Sequence, residues 1–198
     1  MKRTAIYLFT IFFLFQSTSH TYSSNPKEFV NELVTETISK LADKNLTKEQ
    51  KATFVEKVAL ENVDIKALGL YTLGELRKSS NKDDIFDYQK SFKKYFLKSL
   101  TSRLTDYSSS KFEILDHDKK STNYTIVKSK IIPDNGGPDI KIDWRVYTKN
   151  PDKPLIRDLI VEGLSLARTQ KEEFASILSS NNNDIKILIQ KLDEFVKD

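Results

Sequence analysis

Four strand-like runs follow one another between residues 112 and 166, joined by turns too short to hold a helix. This succession limits the fold more than any other feature. Strands joined by short turns pair antiparallel, because a parallel pair needs a crossover of about a dozen residues or more. The clearest run is 140–147, where Ile140, Ile142, Trp144 and Val146 alternate with Lys141, Asp143, Arg145 and Tyr147. Such alternation puts one face on a core and the other in water. Residues 112–115 and 124–132 read as strands separated by a polar turn, 116–122, and the P-D-N-G-G-P of 133–138 is a turn on composition. Asn150, Pro151, Asp152 and Lys153 then lead into the last strand.

That strand lies within residues 154–166, P-L-I-R-D-L-I-V-E-G-L-S-L, apolar on both faces, with Asp158 and Glu162 on one of them. Residues four apart on a strand stand roughly 13 Å from one another, so the two acids form no catalytic dyad by themselves. Gly163, lacking Cβ, allows a sharp bend. Thr169 and Glu172 have the spacing of a capping box, which predicts a helix start there.

Helices flank the sheet in sequence. Asn25, Pro26 and Glu28 open one, with Val30, Leu33, Val34, Ile38 and Leu41 as its apolar stripe. Thr47 and Gln50 form a capping box for a second. Residues 65–76 follow as a helix apolar almost all round, a pattern that buries a helix or lines something apolar. Gly69 and Gly74 within it point to close approach by a neighbour. An aromatic helix of about 25 residues, with Ile85, Phe86, Tyr88, Phe92, Tyr95, Phe96, Leu100 and Leu104, is expected to face the sheet. Helices over 169–178 and 184–196 close the chain, with Asn181, Asn182 and Asn183 suited to a left-handed helix end. The class is α+β: a four-stranded antiparallel curved sheet with flanking helices.

The 198 residues suit one domain behind a leader. Lys2 and Arg3 precede the uncharged run 5–15, which is too short for a membrane span of about 20 residues. A signal peptide over 1–23 is expected, leaving a single domain over 24–198, with a helical part 24–110, the sheet 111–166 and C-terminal helices 167–198. The small-residue sites are 17–19 and 21–23, and cleavage is expected near Ser23. The sequence has no cysteine, hence neither a disulfide nor the thiol of a lipoprotein anchor. Without the leader, 30 basic residues face 28 acidic ones. That balance does not suit a nucleic-acid binder.

Little in the chain suggests catalysis. Of two histidines, His20 leaves with the leader and His117 falls in a polar turn, so metal clusters and His-dependent triads lack residues. Neither a P-loop nor a G-x-G-x-x-G occurs. Asp143 and Arg145 read as an ion pair or solvated face. An aromatic helix over a curved sheet is either a filled core or the wall of an apolar cavity, and periodicity does not separate the two.

Two blocks carry a family resemblance. One runs from Asp158 through Glu162, Gly163, Leu164, Ser165 and Leu166 to Arg168 and Phe174. The other is L-G-L-Y-T-L-G-E-L-R over 68–77, followed by Phe86, Phe92, Tyr95 and Leu100. Their order and spacing over roughly residues 26–195 resemble the MlaC family, periplasmic phospholipid-binding auxiliary components of an ABC transport system. Leu155 departs from it, standing where many members carry Trp, as do Asn181 to Asn183, where a Gly is common.

The resemblance implies a nuclear-transport-factor-like sheet with extra helices and a pocket for acyl chains. It implies a soluble, non-enzymatic periplasmic protein with phospholipid as ligand and no cofactor or metal. Its partners would be an inner-membrane ABC transporter complex and an outer-membrane lipoprotein complex, and a monomer is expected. Apolar faces and family position together select Leu68, Tyr71, Phe92, Tyr95, Phe96, Ile142, Trp144, Val146, Leu159 and Val161 as the wall. The headgroup is expected in solvent, since no Arg and Lys are spaced like a phosphate clamp. The competing readings are an isomerase or dehydratase of the same fold, using Asp158 or Asp143, and an envelope protein that only makes interactions.

Overall fold

A computed structural model of the chain describes residues 22–104 and 110–197, so the expected leader lies outside the described residues as far as position 21. The helical half comprises α1 (Pro26–Ala42), α2 (Lys48–Asn62), α3 (Ile65–Thr72), α4 (Leu76–Ser79) and α5 (Lys82–Leu104). The sheet follows as β1 (Ser110–Ser121), β2 (Tyr124–Pro133), β3 (Ile140–Tyr147), β4 (Leu155–Val161) and β5 (Leu164–Ser165), and α6 (Leu166–Ser179) and α7 (Ile185–Lys197) end the chain. The strands form one antiparallel meander in the order β1-β2-β3-β4-β5. Among the described residues no helix is long and apolar enough to cross a membrane.

The caps are where local chemistry puts them. Asn25 accepts from the Lys27 and Glu28 amides, and Thr47 with Gln50 completes a reciprocal capping box. Asn182 and Asn183 have φ of 54° and 57°, the left-handed turn expected between the last two helices.

Elsewhere, tertiary context overrides the local pattern. The expected polar turn at 116–122 is mostly strand: β1 continues through His117 to Ser121, and only residues 122 and 123 turn. An edge strand with a face in water tolerates such a sequence, and its charges discourage pairing with another chain. The strand within 154–166 bends at Gly163 as expected, but Glu162 and Gly163, both at positive φ, fold the chain back far enough for the sheet to gain a fifth, two-residue strand. The last helix but one, α6, begins earlier than the Thr169 box. Ser165 caps α6 by accepting from the Arg168 amide, while the Thr169 hydroxyl donates to the Ser165 carbonyl.

Two cores result. In the first, α1 lies on the sheet: Phe29, Val30, Leu33 and Val34 meet Val127, Ile142, Trp144, Val146 and Ile156. The Trp144 indole donates to Ser129 Oγ at 2.8 Å, and that hydroxyl donates to the Ile142 carbonyl at 2.9 Å, so no polar atom of this chain of bonds is stranded in the core. In the second, Tyr88 and Phe92 of α5 pack with Ile65, Leu73, Phe174, Leu178, Leu188 and Leu192. Burial pushes the Tyr88 phenol well above its ordinary range, and its oxygen lies 2.8 Å from the Thr72 hydroxyl. The aromatic helix thus faces other helices rather than the sheet, a correction to the sequence expectation. Its stripe was real, but a stripe does not name its partner.

Gly69 and Gly74 divide the roles expected of both. A Cβ on Gly69 would stand 2.8 Å from a Phe92 ring carbon, so glycine is needed for the close approach of α3 to α5. Gly74 has φ of 65° and ends the apolar helix instead of packing inside it.

Candidate functional site

The site begins at an irregularity in β4. Arg145 pairs with Asp158 and Val146 with Ile156, so Arg157 has no partner on β3. This bulge breaks the two-residue period. It brings Arg157 to the side of the sheet that carries Tyr124, Arg145 and Tyr147.

Arg157 and Asp158 then hold two helices. Asp64 Oδ1 caps α3 by accepting from the Ala67 amide at 3.1 Å, and Arg157 reaches Asp64 Oδ2 through Nε at 2.8 Å and Nη2 at 2.7 Å. Its third nitrogen, Nη1, donates to the Tyr124 oxygen at 2.9 Å, and the guanidinium lies 3.3 Å from the Tyr147 ring centroid. Burial works to lower the Arg157 pKa, and the bonds to Tyr124 and Asp64 more than offset it, so the cation is held above its ordinary range. Asp158, its side chain only 2 % exposed, accepts from Ser165 Oγ at 2.6 Å and from the Ala167 amide at 3.0 Å. Adjacent residues of one strand therefore fix the first turns of α3 and α6.

Between these turns and the sheet lies a pocket of about 180 Å³, lined by Ala67, Leu68, Tyr71, Ala167, Tyr124, Arg145 and Arg157. One wall is apolar, while the other carries two guanidinium groups and a phenol. A second pocket, of about 340 Å³, lies between α5 and α7, and its side chains include Asp84, Asp87, Lys90, Lys94, Lys186 and Asp193. Among the described residues no group of acids and histidines could hold a metal ion.

The ten residues expected to form one wall fall into two sets. Ile142, Trp144 and Val146 are buried in the sheet core, with Leu159 and Val161 half-buried beside them. Phe92 is buried in the helical core, with Leu68, Tyr95 and Phe96 half-buried against it, and Tyr71 is exposed. Only Leu68 and Tyr71 reach the smaller pocket. The sequence reading did not single out Arg157, Tyr124 or Asp64. Asp64 was visible as a polar residue just before an apolar helix; the two arginines, twelve apart in sequence, meet only through the bulge.

The chain is thus an α+β domain in which an open antiparallel sheet carries helices and an amphipathic pocket at the first turns of α3 and α6. It belongs to the MlaC family, whose model, described as MlaC protein, matches residues 31–194. Its fold is similar to that of the phospholipid-binding protein from Ralstonia solanacearum, solved in complex with a phospholipid. The TM-score is 0.70 at 20 % identity, over 85 % of this chain and 94 % of that one.

Proposed function

We propose that the protein is a periplasmic phospholipid carrier, exported by an N-terminal signal peptide. It would shuttle lipid between an outer-membrane lipoprotein complex and an inner-membrane ABC transporter complex. The observation that carries this reading is the fold match, over 85 % of this chain and 94 % of the other, to a protein solved with a phospholipid bound. Membership of the MlaC family supports it.

The physical demand on such a carrier is large. Two acyl chains hold about 30 methylenes, and at about 0.8 kcal/mol each their exposure to water costs over ~20 kcal/mol. They have to be covered throughout transit. Neither pocket reaches far into the range of about 300–1,000 Å³ that holds drug-sized ligands, and a diacyl lipid needs more. We therefore place the chains along the seam of the two cores, where Val63 packs against both. The residues Leu68, Tyr71, Phe92, Tyr95 and Phe96 would contribute from the helical side, and Ile142, Trp144, Val146, Leu159 and Val161 from the sheet. Loading then shifts the molecule to a form with the seam parted, favoured by its contacts with lipid.

Asp158 offers little to the enzyme reading. Its two oxygens are committed to Ser165 and the Ala167 amide, so the buried carboxylate anchors a helix.

Native mass spectrometry of protein purified from a Gram-negative envelope, followed by lipid extraction, tests the proposal. An adduct of one diacyl phospholipid is expected. A clean apo mass together with no uptake from liposomes would overturn it in favour of an interaction-only role.

A further inference from the structure

The smaller pocket has a chemistry that the acyl chains do not need. Arg145, Arg157 and Tyr124 converge on it from three strands, although the sequence spacing of basic residues suggested no phosphate clamp. Their neighbours consume only some of these groups.

Arg157 is consumed, since all three of its nitrogens have partners. Arg145 is not. Its contact with Asp158 is 3.5 Å, longer than the roughly 2.7–2.9 Å of a charge-assisted bond, and its side chain is 43 % exposed. Asp158 has other partners besides it, since Ser165 Oγ and the Ala167 amide each donate to one of its carboxylate oxygens. Asp64, the other nearby acid, is likewise turned to the Ala67 amide and to Arg157. Tyr124 accepts from Arg157, and arginine has no acceptor to offer in return, so the phenolic hydrogen remains available. The pocket thus presents a loosely held guanidinium and an O–H donor opposite Leu68, Ala67 and Ala167.

We propose that this pocket binds the phosphate group of a phospholipid, with Arg145 and Tyr124 as donors and Leu68 and Ala67 against the adjoining glycerol and first methylenes. This rests on the carrier reading and deepens it. About 180 Å³ is too small for acyl chains but accommodates a phosphodiester with its glycerol. The acyl chains leave the pocket toward the seam on the Leu68 side. The protein accordingly selects lipids by the presence of the phosphate, whatever lies beyond it.

Binding of dihexanoyl phosphatidylglycerol and of dihexanoylglycerol, which differ by the phosphate headgroup, provides the test, with inorganic phosphate as a third probe. The wild type is expected to hold the phospholipid at least about tenfold more tightly than the diacylglycerol. Arg145→Gln should collapse that ratio in protein that still folds and unfolds cooperatively, and Arg145→Lys should restore part of it. Equal binding of both lipids by the wild type, or an undiminished ratio in Arg145→Gln, would overturn the phosphate site while leaving the carrier reading intact. Inorganic phosphate binding as tightly as the lipid would also overturn it, making the pocket a site for the free anion. Binding of neither lipid by the wild type would overturn the carrier reading itself.

Discussion

Ser165 donates a 2.6 Å hydrogen bond to Asp158, so a carboxylate buried on β4 grips the hydroxyl that caps the following helix. The pair converts a strand and a helix start into one unit. Removing the acid leaves the Ala167 amide without its acceptor. Asp158→Ala should therefore cost about 3 kcal/mol, well above the roughly 1 kcal/mol expected for Ser165→Ala as a lost cap. A double-mutant cycle in urea should show coupling of at least about 0.5 kcal/mol. Strictly additive losses would mean that the two residues act independently.

The same corner shows what the sequence could and could not disclose. Asn25, the Thr47–Gln50 box and Asn182–Asn183 were legible because each satisfies its bonds within a few residues. The meander was legible because short turns leave antiparallel pairing as the available choice. The partner of the aromatic helix was not, since a stripe on α5 fits a sheet or another helix equally well. Nor was the pocket. Arg157 and Asp158 should point to opposite faces of a regular strand, and only the bulge opposite Val146 sends Arg157 to join Arg145 and Tyr124.

Gly69 and Gly74 should respond differently to the same substitutions. At Gly69 a methyl group meets the Phe92 ring, which is itself packed between Tyr88, Phe96 and Phe174 and has little room to yield. Overpacking of about 1–3 kcal/mol then exceeds the helix-propensity gain of about 1 kcal/mol, and Gly69→Ala destabilises. At Gly74 the nearest neighbour is the flexible Lys171 side chain at 3.5 Å, so the cost of about 1–2 kcal/mol comes from the left-handed backbone alone. Gly74→Asn should recover part of that loss and Gly69→Asn should not. Urea midpoints of the four variants are the measurement.

Arg157 should not be replaceable by lysine. A lysine keeps the charge but cannot reach Asp64 with two nitrogens, meet Tyr124 with a third and place a guanidinium over the Tyr147 ring. Arg157→Lys is expected to lose about 2 kcal/mol, close to the loss in Arg157→Gln, because the fork rather than the charge holds α3 to the sheet. Thermal unfolding of the two variants decides this. A lysine variant as stable as wild type would show that charge alone suffices.

The contacts of Tyr22 and Ser23 bear on where a mature chain would begin. The small-residue pattern placed cleavage near Ser23, which would remove Tyr22. In the fold, however, the Tyr22 ring meets Phe29 edge-on at 6.1 Å and its hydroxyl donates to Glu36 at 2.6 Å, while the Ser23 amide donates to Glu32 at 2.8 Å. Residues with such contacts belong to the domain, and the alternative site at 17–19, with cleavage after Ser19, retains them. Intact mass of the exported protein should thus correspond to a chain starting at His20, and a start at Ser24 would refute it. The phenol supplies a second readout. Burial, the bond to Glu36 and the nearby charges of Glu36, Glu61 and Glu32 raise its pKa well beyond the ordinary value. A raised pKa means that its contribution is complete below the unfolded-state value of about 10 and declines as pH rises past it, since the unfolded chain ionises first. Tyr22→Phe keeps the ring and removes the titrating group, so its stability deficit at neutral pH should shrink above pH ~10.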